Sequence, residues 1–174
     1  MNNHKILAFD TSMSSPGAAL VEISHGKARI IEVSHVTTAA SQPHGLRAEI
    51  VEAWATIFIA KHGAKFDEVL REDFVGRTSR QNHPVYSAWG AIDQALNKFG
   101  LKVTRPPISQ SKIKRLVTGS GSATKDDVER AVRELTGFDG KFATDDESDA
   151  VAVALAWAME QGLIKRKTKG ANKL

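Results

Sequence analysis

The chain begins with Ile6-Leu7-Ala8-Phe9-Asp10, an apolar run closed by a carboxylate, and resumes as Gly17-Ala18-Ala19-Leu20-Val21-Glu22-Ile23 after Ser14-Ser15-Pro16. The first run reads as a short buried strand, and the Ser/Pro/Gly cluster turns the chain into a second. His25-Gly26-Lys27 makes the next turn, and Ala28–Val36 alternates as a third strand. Three strands joined by short turns form an antiparallel meander.

Beyond it the period changes. Leu46, Ile50, Trp54, Ile57 and Phe58 fall on one helical face, predicting a helix from about Pro43 to Lys61. Asp67–Glu72 reads as a short strand, Val85–Phe99 as a helix ended by Gly100, and Leu101–Arg105 as a last strand before Pro106-Pro107. Ile113, Leu116 and Val117 suggest a short helix. Thr124 with Asp127, and Thr144 with Glu147, have the spacing of capping boxes that open two more helices. The order β-β-β-α-β-α-β followed by helices predicts an α/β fold: a mixed five-stranded sheet, three strands antiparallel and two added, flanked by helices.

The 174 residues fit one domain. Residues 1–162 are expected to form it, and 163–174 a basic, flexible tail. No apolar stretch is long enough to cross a bilayer, and no signal peptide is expected ahead of the first strand. With no cysteine, disulfides and thiolate metal sites are excluded; a cytoplasmic setting is expected. The net charge is +4, yet Lys165, Arg166, Lys167, Lys169 and Lys173 supply five positive charges, which leaves −1 on residues 1–162. That tail is either a solubilising end or an arm that contacts phosphates. The six histidines lack metal-ligand spacing and read as surface residues, with His83 at the end of the polar stretch Gly76–His83.

Two acidic groups stand out. Asp10 closes a hydrophobic strand, where burial costs a carboxylate its hydration. Asp146 and Asp149, three apart, share a face at the start of the last helix. Ordinary explanations exist: a turn-forming Asp, a solvated edge residue at Glu72, and first-turn acids that complement the helix dipole. Carboxylates gathered from distant parts of a chain repel unless a cation lies between them, so the pattern points to a divalent-metal site.

The arrangement resembles the RuvC family of Holliday junction resolvases, within the ribonuclease H-like superfamily. Three stretches carry the likeness: Ile6-Leu7-Ala8-Phe9-Asp10-Thr11-Ser12 with Pro16-Gly17; Arg71-Glu72-Asp73-Phe74-Val75; and residues 111–125, with Lys114, Gly119-Ser120-Gly121-Ser122-Ala123 and Lys125, leading to Asp146-Glu147-Ser148-Asp149-Ala150. The resemblance implies a ribonuclease H-like fold and a homodimer acting on four-way, branched DNA. It implies four metal-binding catalytic acids, Asp10, Glu72, Asp146 and Asp149, holding two Mg²⁺ or Mn²⁺ ions. It also implies phosphate contacts from Lys114 and Lys125. The polar stretch Gly76–His83 reads as a mobile loop beside the acids, with Arg77 and Arg80 on the DNA backbone.

Departures mark a divergent, phage-like member. The family's aromatic position is Val75 here, and Phe74 precedes it, so Phe74 either stacks at the junction or packs in the core. Arg71 replaces an apolar strand residue, and residues 11–17 make a longer turn than the family's Asp-Pro-Gly. The resemblance implies paired nicks giving 5′-phosphate and 3′-hydroxyl ends. Two further readings keep the fold: another ribonuclease H-like nuclease cutting flaps, branched DNA or RNA–DNA hybrids, and a non-catalytic DNA-binding module.

Overall fold

In the computed structural model, which describes residues 3–73 and 79–166, and side chains from residue 82 in the second stretch, the first strand is the centre of the molecule. β1 (His4–Asp10) pairs antiparallel with β2 (Gly17–Ser24), which pairs antiparallel with β3 (Lys27–His35). On its other side β1 lies parallel to β4 (Glu68–Asp73), and a two-residue β5 (Ile108–Ser109) adds parallel to β4. The order β3-β2-β1-β4-β5 is the predicted mixed five-stranded sheet.

Strand alternation splits the core into two layers. Leu7, Phe9, Leu20 and Val69 face α1 (His44–Lys61) and α2 (Ser79–Asn97). Ile6, Ala8, Val21 and Leu70 face α5 (Asp145–Glu160), which is covered in turn by α3 (Gln110–Thr118) and α4 (Lys125–Thr136). Sandwiched between the sheet and two helices, α5 is buried on nearly every side, and its run from Ala150 to Ala158 is apolar all round.

Four expectations need correction. The buried face of α1 is Arg47, Val51, Ala55, Phe58 and Ile59; Leu46 and Ile57 point outward, Ile57 at 69% exposed. Several apolar residues of α1 lie off this stripe, so hydrophobicity alone did not orient the helix. The last strand is not Leu101–Arg105 but Ile108–Ser109. Thr104 holds the earlier segment to β4 instead: its N–H donates to the Val69 carbonyl at 2.9 Å, and its Oγ1 accepts from the Val69 N–H at 3.0 Å. Residues 79–83, expected in a loop, already belong to α2, with Pro84 inside the helix. Their polarity is no mark of irregular backbone, since the helix runs through them. Finally, only Thr124 and Asp127 form a capping box; the Thr144 side chain makes no cap bond, and its Oγ1 is buried without a partner.

Arg71, on the α1/α2 side of β4, explains its own departure from an apolar residue. Its guanidinium stacks 4.2 Å from the Trp89 ring centre and lies 3.2 Å from Asp93, tying β4 to α2.

Candidate active site

The four acids come from three elements that meet at one end of the sheet: the C-terminal ends of β1 and β4 and the start of α5. Asp10 and Glu72 continue the faces of Ala8 and Leu70, so both point toward α5. Asp10 and Gly17 are cross-strand partners, and Gly17 abuts the first turn of α5: a Cβ there would lie 2.1 Å from the Asp146 carbonyl oxygen. Only glycine lets the helix carrying Asp146 and Asp149 come this close to the end of β1.

Electrostatics show the crowding. Burial, a hydrogen bond with Glu72, and the charges of Glu72, Asp149 and Asp146 push Asp10 well above the usual carboxylate range. Burial also raises Glu72 and Asp149, with Lys125 opposing the rise at both and Lys114 opposing it at Glu72. A hydrogen bond between two carboxyl groups requires a shared proton. Among the described residues, no three histidine or acidic side chains stand ready to hold a metal ion in this conformation. The donor chemistry nonetheless fits a hard divalent cation: oxygen-only ligands, half-buried and mutually repelling, with a proton where a cation would bring more charge.

Two lysines border the acids. Lys125, first residue of α4, has its Nζ 3.5 Å from Asp145 and 3.6 Å from Asp149. Burial lowers its pKa, but the charges of Asp149, Asp146 and Asp145 outweigh that and raise it. Lys114 projects from α3. Together with Glu72, Asp149, Gln110, Ile113 and Val128, the two lysines line a narrow cleft. A larger cavity of about 770 Å³ lies one helical turn away between α3 and α4, walled by residues such as Thr118, Arg130, Glu134 and Arg166. The acids are not in it; Glu72 and Asp149 border the narrower cleft beside the two lysines. Phe74 and Arg77 lie outside the described residues; Arg80 is in the first turn of α2, its side chain likewise outside them.

Two contributors escaped the sequence reading. Glu147, 5% exposed, accepts the Ala143 N–H at 2.7 Å and lies 2.8 Å from the His35 ring Nδ1. It therefore fixes the rotation of the α5 first turn between Asp146 and Asp149 rather than capping Thr144. His35 is thus no plain surface residue; neither is His62, packed on the Phe58 ring at 4.8 Å. Their polarity hid both, because nothing local signals a partner 112 residues away.

Residues 6–157 match the family model described as crossover junction endodeoxyribonuclease RuvC. The chain belongs to the RuvC family. A RuvC of Campylobacter jejuni is 30% identical over 158 residues, which cover 90% of this chain and 95% of the relative. A RuvC of Synechococcus is 27% identical over 159 residues, covering 87% and 96%. Among solved structures, Thermus thermophilus RuvC in complex with a Holliday junction substrate superposes with a TM-score of 0.78 at 23% identity, covering 93% of this chain and 98% of that one. The yeast mitochondrial Holliday junction resolvase superposes at 0.60 with 15% identity and shares the fold. The resemblance read from Asp10, Glu72 and the Gly119–Lys125 stretch therefore named the right family, and the ribonuclease H-like architecture agrees with these RuvC relatives.

Proposed function

We propose that this RuvC-family chain is a structure-selective endodeoxyribonuclease that resolves four-way DNA junctions by paired nicks, as a homodimer. The single observation that carries the reading is the convergence of Asp10, Glu72, Asp146 and Asp149 at one end of the sheet, where burial and the neighbouring carboxylates raise Asp10 and burial raises Glu72.

Asp10, Glu72, Asp146 and Asp149 would together hold two Mg²⁺ or Mn²⁺ ions. When bound, such ions supply Lewis acidity and a nucleophile at neutral pH. The chain's own residues do the rest. Lys114 and Lys125 hold the phosphate in the cleft beside the carboxylates and offset its charge. The buried faces of α5 and β1 keep the acids within reach of one another, and the Lys125–Asp149 contact holds Asp149 toward its ionised form. A phosphodiester cut this way leaves a 5′-phosphate and a 3′-hydroxyl. Phe74, Arg77 and Arg80 would extend the contact to the junction arms. Such contacts set affinity and salt dependence rather than base choice. The basic residues after Leu163 would contact phosphates as well, starting from a docked root: Ile164 is buried and the Leu163 N–H donates to the Ala158 carbonyl. None of the described helices is long and apolar enough to cross a membrane, and a junction nuclease would work on cytoplasmic DNA.

The test is one incubation with a synthetic four-way junction, a flap and an RNA–DNA hybrid, in Mg²⁺ or EDTA. Symmetric paired nicks in the junction, abolished by EDTA and by Asp10→Asn, are expected. Cutting of the hybrid alone, or an active Asp10→Asn protein, would overturn the reading.

A further inference from the structure

The long turn after Asp10 has a dedicated clamp. Residues 11–16 connect the end of β1 to the start of β2, and Met13 is buried in the layer under α1. The turn is pinned by hydrogen bonds from two directions. The Thr38 N–H donates to the Ser14 carbonyl at 2.9 Å, and the Thr38 hydroxyl donates to the Met13 carbonyl at 2.6 Å. Arg47, in the first turns of α1, completes the set: its Nε–H donates to Thr38 Oγ1 at 2.9 Å, and Nη2 donates to Ser14 Oγ at 2.9 Å.

Arg47 is only 8% exposed, and it forms no ion pair with a carboxylate among the described residues. A buried guanidinium satisfied by neutral hydroxyls is a poor way to stabilise a fold, since desolvation of the charge goes uncompensated. An apolar residue at this position of α1, beside Val51 and Ala55, would fill the space at lower cost. What the guanidinium adds is geometry: a planar fork that fixes Ser14 and Thr38 at once, and through them Met13 and Ser14 at the middle of the turn that carries Asp10 into Gly17.

We propose that Arg47 is a positioning residue for the cleavage reaction: it clamps residues 11–16 so that Asp10 is presented in one geometry. This rests on the proposed role of Asp10. The clamp also accounts for the turn's extra length, because a longer connection next to a catalytic strand end must be held from outside.

The test uses the full chain with Arg47→Met, Arg47→Lys and Arg47→Ala, a synthetic four-way junction and single-turnover cleavage. Arg47→Met is expected to melt within a few degrees of the wild type and to bind the junction in Ca²⁺ with unchanged affinity. Its cleavage rate at saturating Mg²⁺ is expected to fall by about 10- to 100-fold, the scale of an ångström-sized misplacement. Arg47→Lys should be intermediate, and guanidinium ion, but not sodium at equal ionic strength, should restore part of the Arg47→Ala rate. Cleavage by Arg47→Met within twofold of the wild type would overturn the clamp. So would a rate loss that merely tracks a lower melting temperature and that neither Lys nor guanidinium repairs. An active Asp10→Asn protein, run in parallel, would sink the site reading itself; an inactive one beside a fully active Arg47→Met removes only the clamp.

Discussion

Gly17→Ala is the sharpest probe of how the acids are assembled. The added methyl would sit 2.1 Å from the Asp146 carbonyl oxygen, 2.4 Å from its carbonyl carbon and 3.0 Å from the Glu147 nitrogen. Reaching even a tight 3.0 Å contact with that oxygen requires a separation of 0.9 Å between β2 and the α5 first turn. Neither side yields cheaply: Gly17 is paired to Asp10 on one flank and His35 on the other, and α5 is buried on nearly every side. Overpacking of this kind costs about 1–3 kcal/mol, which for a chain of this size lowers the melting temperature by roughly 2–4 °C per kcal/mol. The catalytic effect is larger. A displacement near 1 Å of Asp146 and Asp149 relative to Asp10 and Glu72 is expected to cost about 10²-fold in cleavage rate, while junction binding is expected to change less, since Lys114 and Lys125 project from α3 and α4 rather than from the displaced turn. The assay is single-turnover cleavage of a four-way junction across an Mg²⁺ titration, with gel-shift binding and thermal melts on the same preparations. Gly45→Ala is the control: a Cβ there meets nothing within 4 Å, so helix propensity alone predicts a neutral or slightly stabilising change. A Gly17→Ala protein with wild-type melting and wild-type cleavage would refute the close approach of α5 to β2, and the assembly argument with it.

Other outcomes follow from the same site. Asp10, Glu72 and Asp149 all have folded-state pKa values above their unfolded ones, so the stability they contribute is complete below the unfolded carboxylate range and is lost as pH rises through the raised values. Metal-free Asp10→Asn should therefore melt higher than the wild type at neutral pH, with the difference vanishing on acidification; equal melting at pH 7 would count against the shared proton. Mg²⁺ at a hundred times its Kd should stabilise the wild type by about 2.7 kcal/mol, visible as several degrees in a melt and absent in Asp10→Asn. Lys125→Met removes a charge 3.6 Å from Asp149 that opposes the rise at Asp149 and Glu72, so the acid limb of the pH–rate profile should move to higher pH. The slope of log affinity against log salt should also shrink by about one phosphate's worth, and an unmoved profile would remove Lys125 from the site. Glu147→Ala strands the Ala143 N–H and the His35 ring, costing about 1–3 kcal/mol, with slower cleavage but intact junction binding.

The parts of the fold legible in the sequence were those written in local periodicity. β1, β2, β3 and β4 came within two residues of their observed ends because apolar runs and turn residues bracket them. Thr124–Asp127 was legible because a capping box is closed within four residues. The α1 face was not: Arg47 takes a buried position that hydrophobicity would give to Leu46, and only the hydroxyls of Ser14 and Thr38, far along the chain, explain it. β5 was misplaced because Thr104 pairs with β4 through its side chain, a substitution for strand pairing that no residue pattern announces. Among the candidate acids, Asp10 stood out because charge at the end of a buried strand is anomalous; the set of four came only with the family resemblance. Glu147 was not, because an acid in a first helical turn is unremarkable until its partner on β3 is known.

These failures share a cause that bears on the chemistry. Once ionised, the carboxylates repel one another, so above their raised pKa values their convergence is not self-stabilising in the absence of a cation; the scaffold must impose it. The imposing groups are residues whose local chemistry looks ordinary or wasteful: a strand glycine pressed on a helix start, a buried glutamate joined to a histidine, an arginine buried without a carboxylate. Each fixes one of the elements that deliver an acid: Gly17 and Glu147 the start of α5, Arg47 the turn beyond Asp10. If that is the division of labour, combining Arg47→Met with Glu147→Ala, which act on separate elements feeding one acidic group, should lower cleavage by less than the product of the single effects, since a group already misaligned by one change has less to lose from the second. Strictly multiplicative losses would show instead that the two supports act on different steps, and that the acids do not function as one unit.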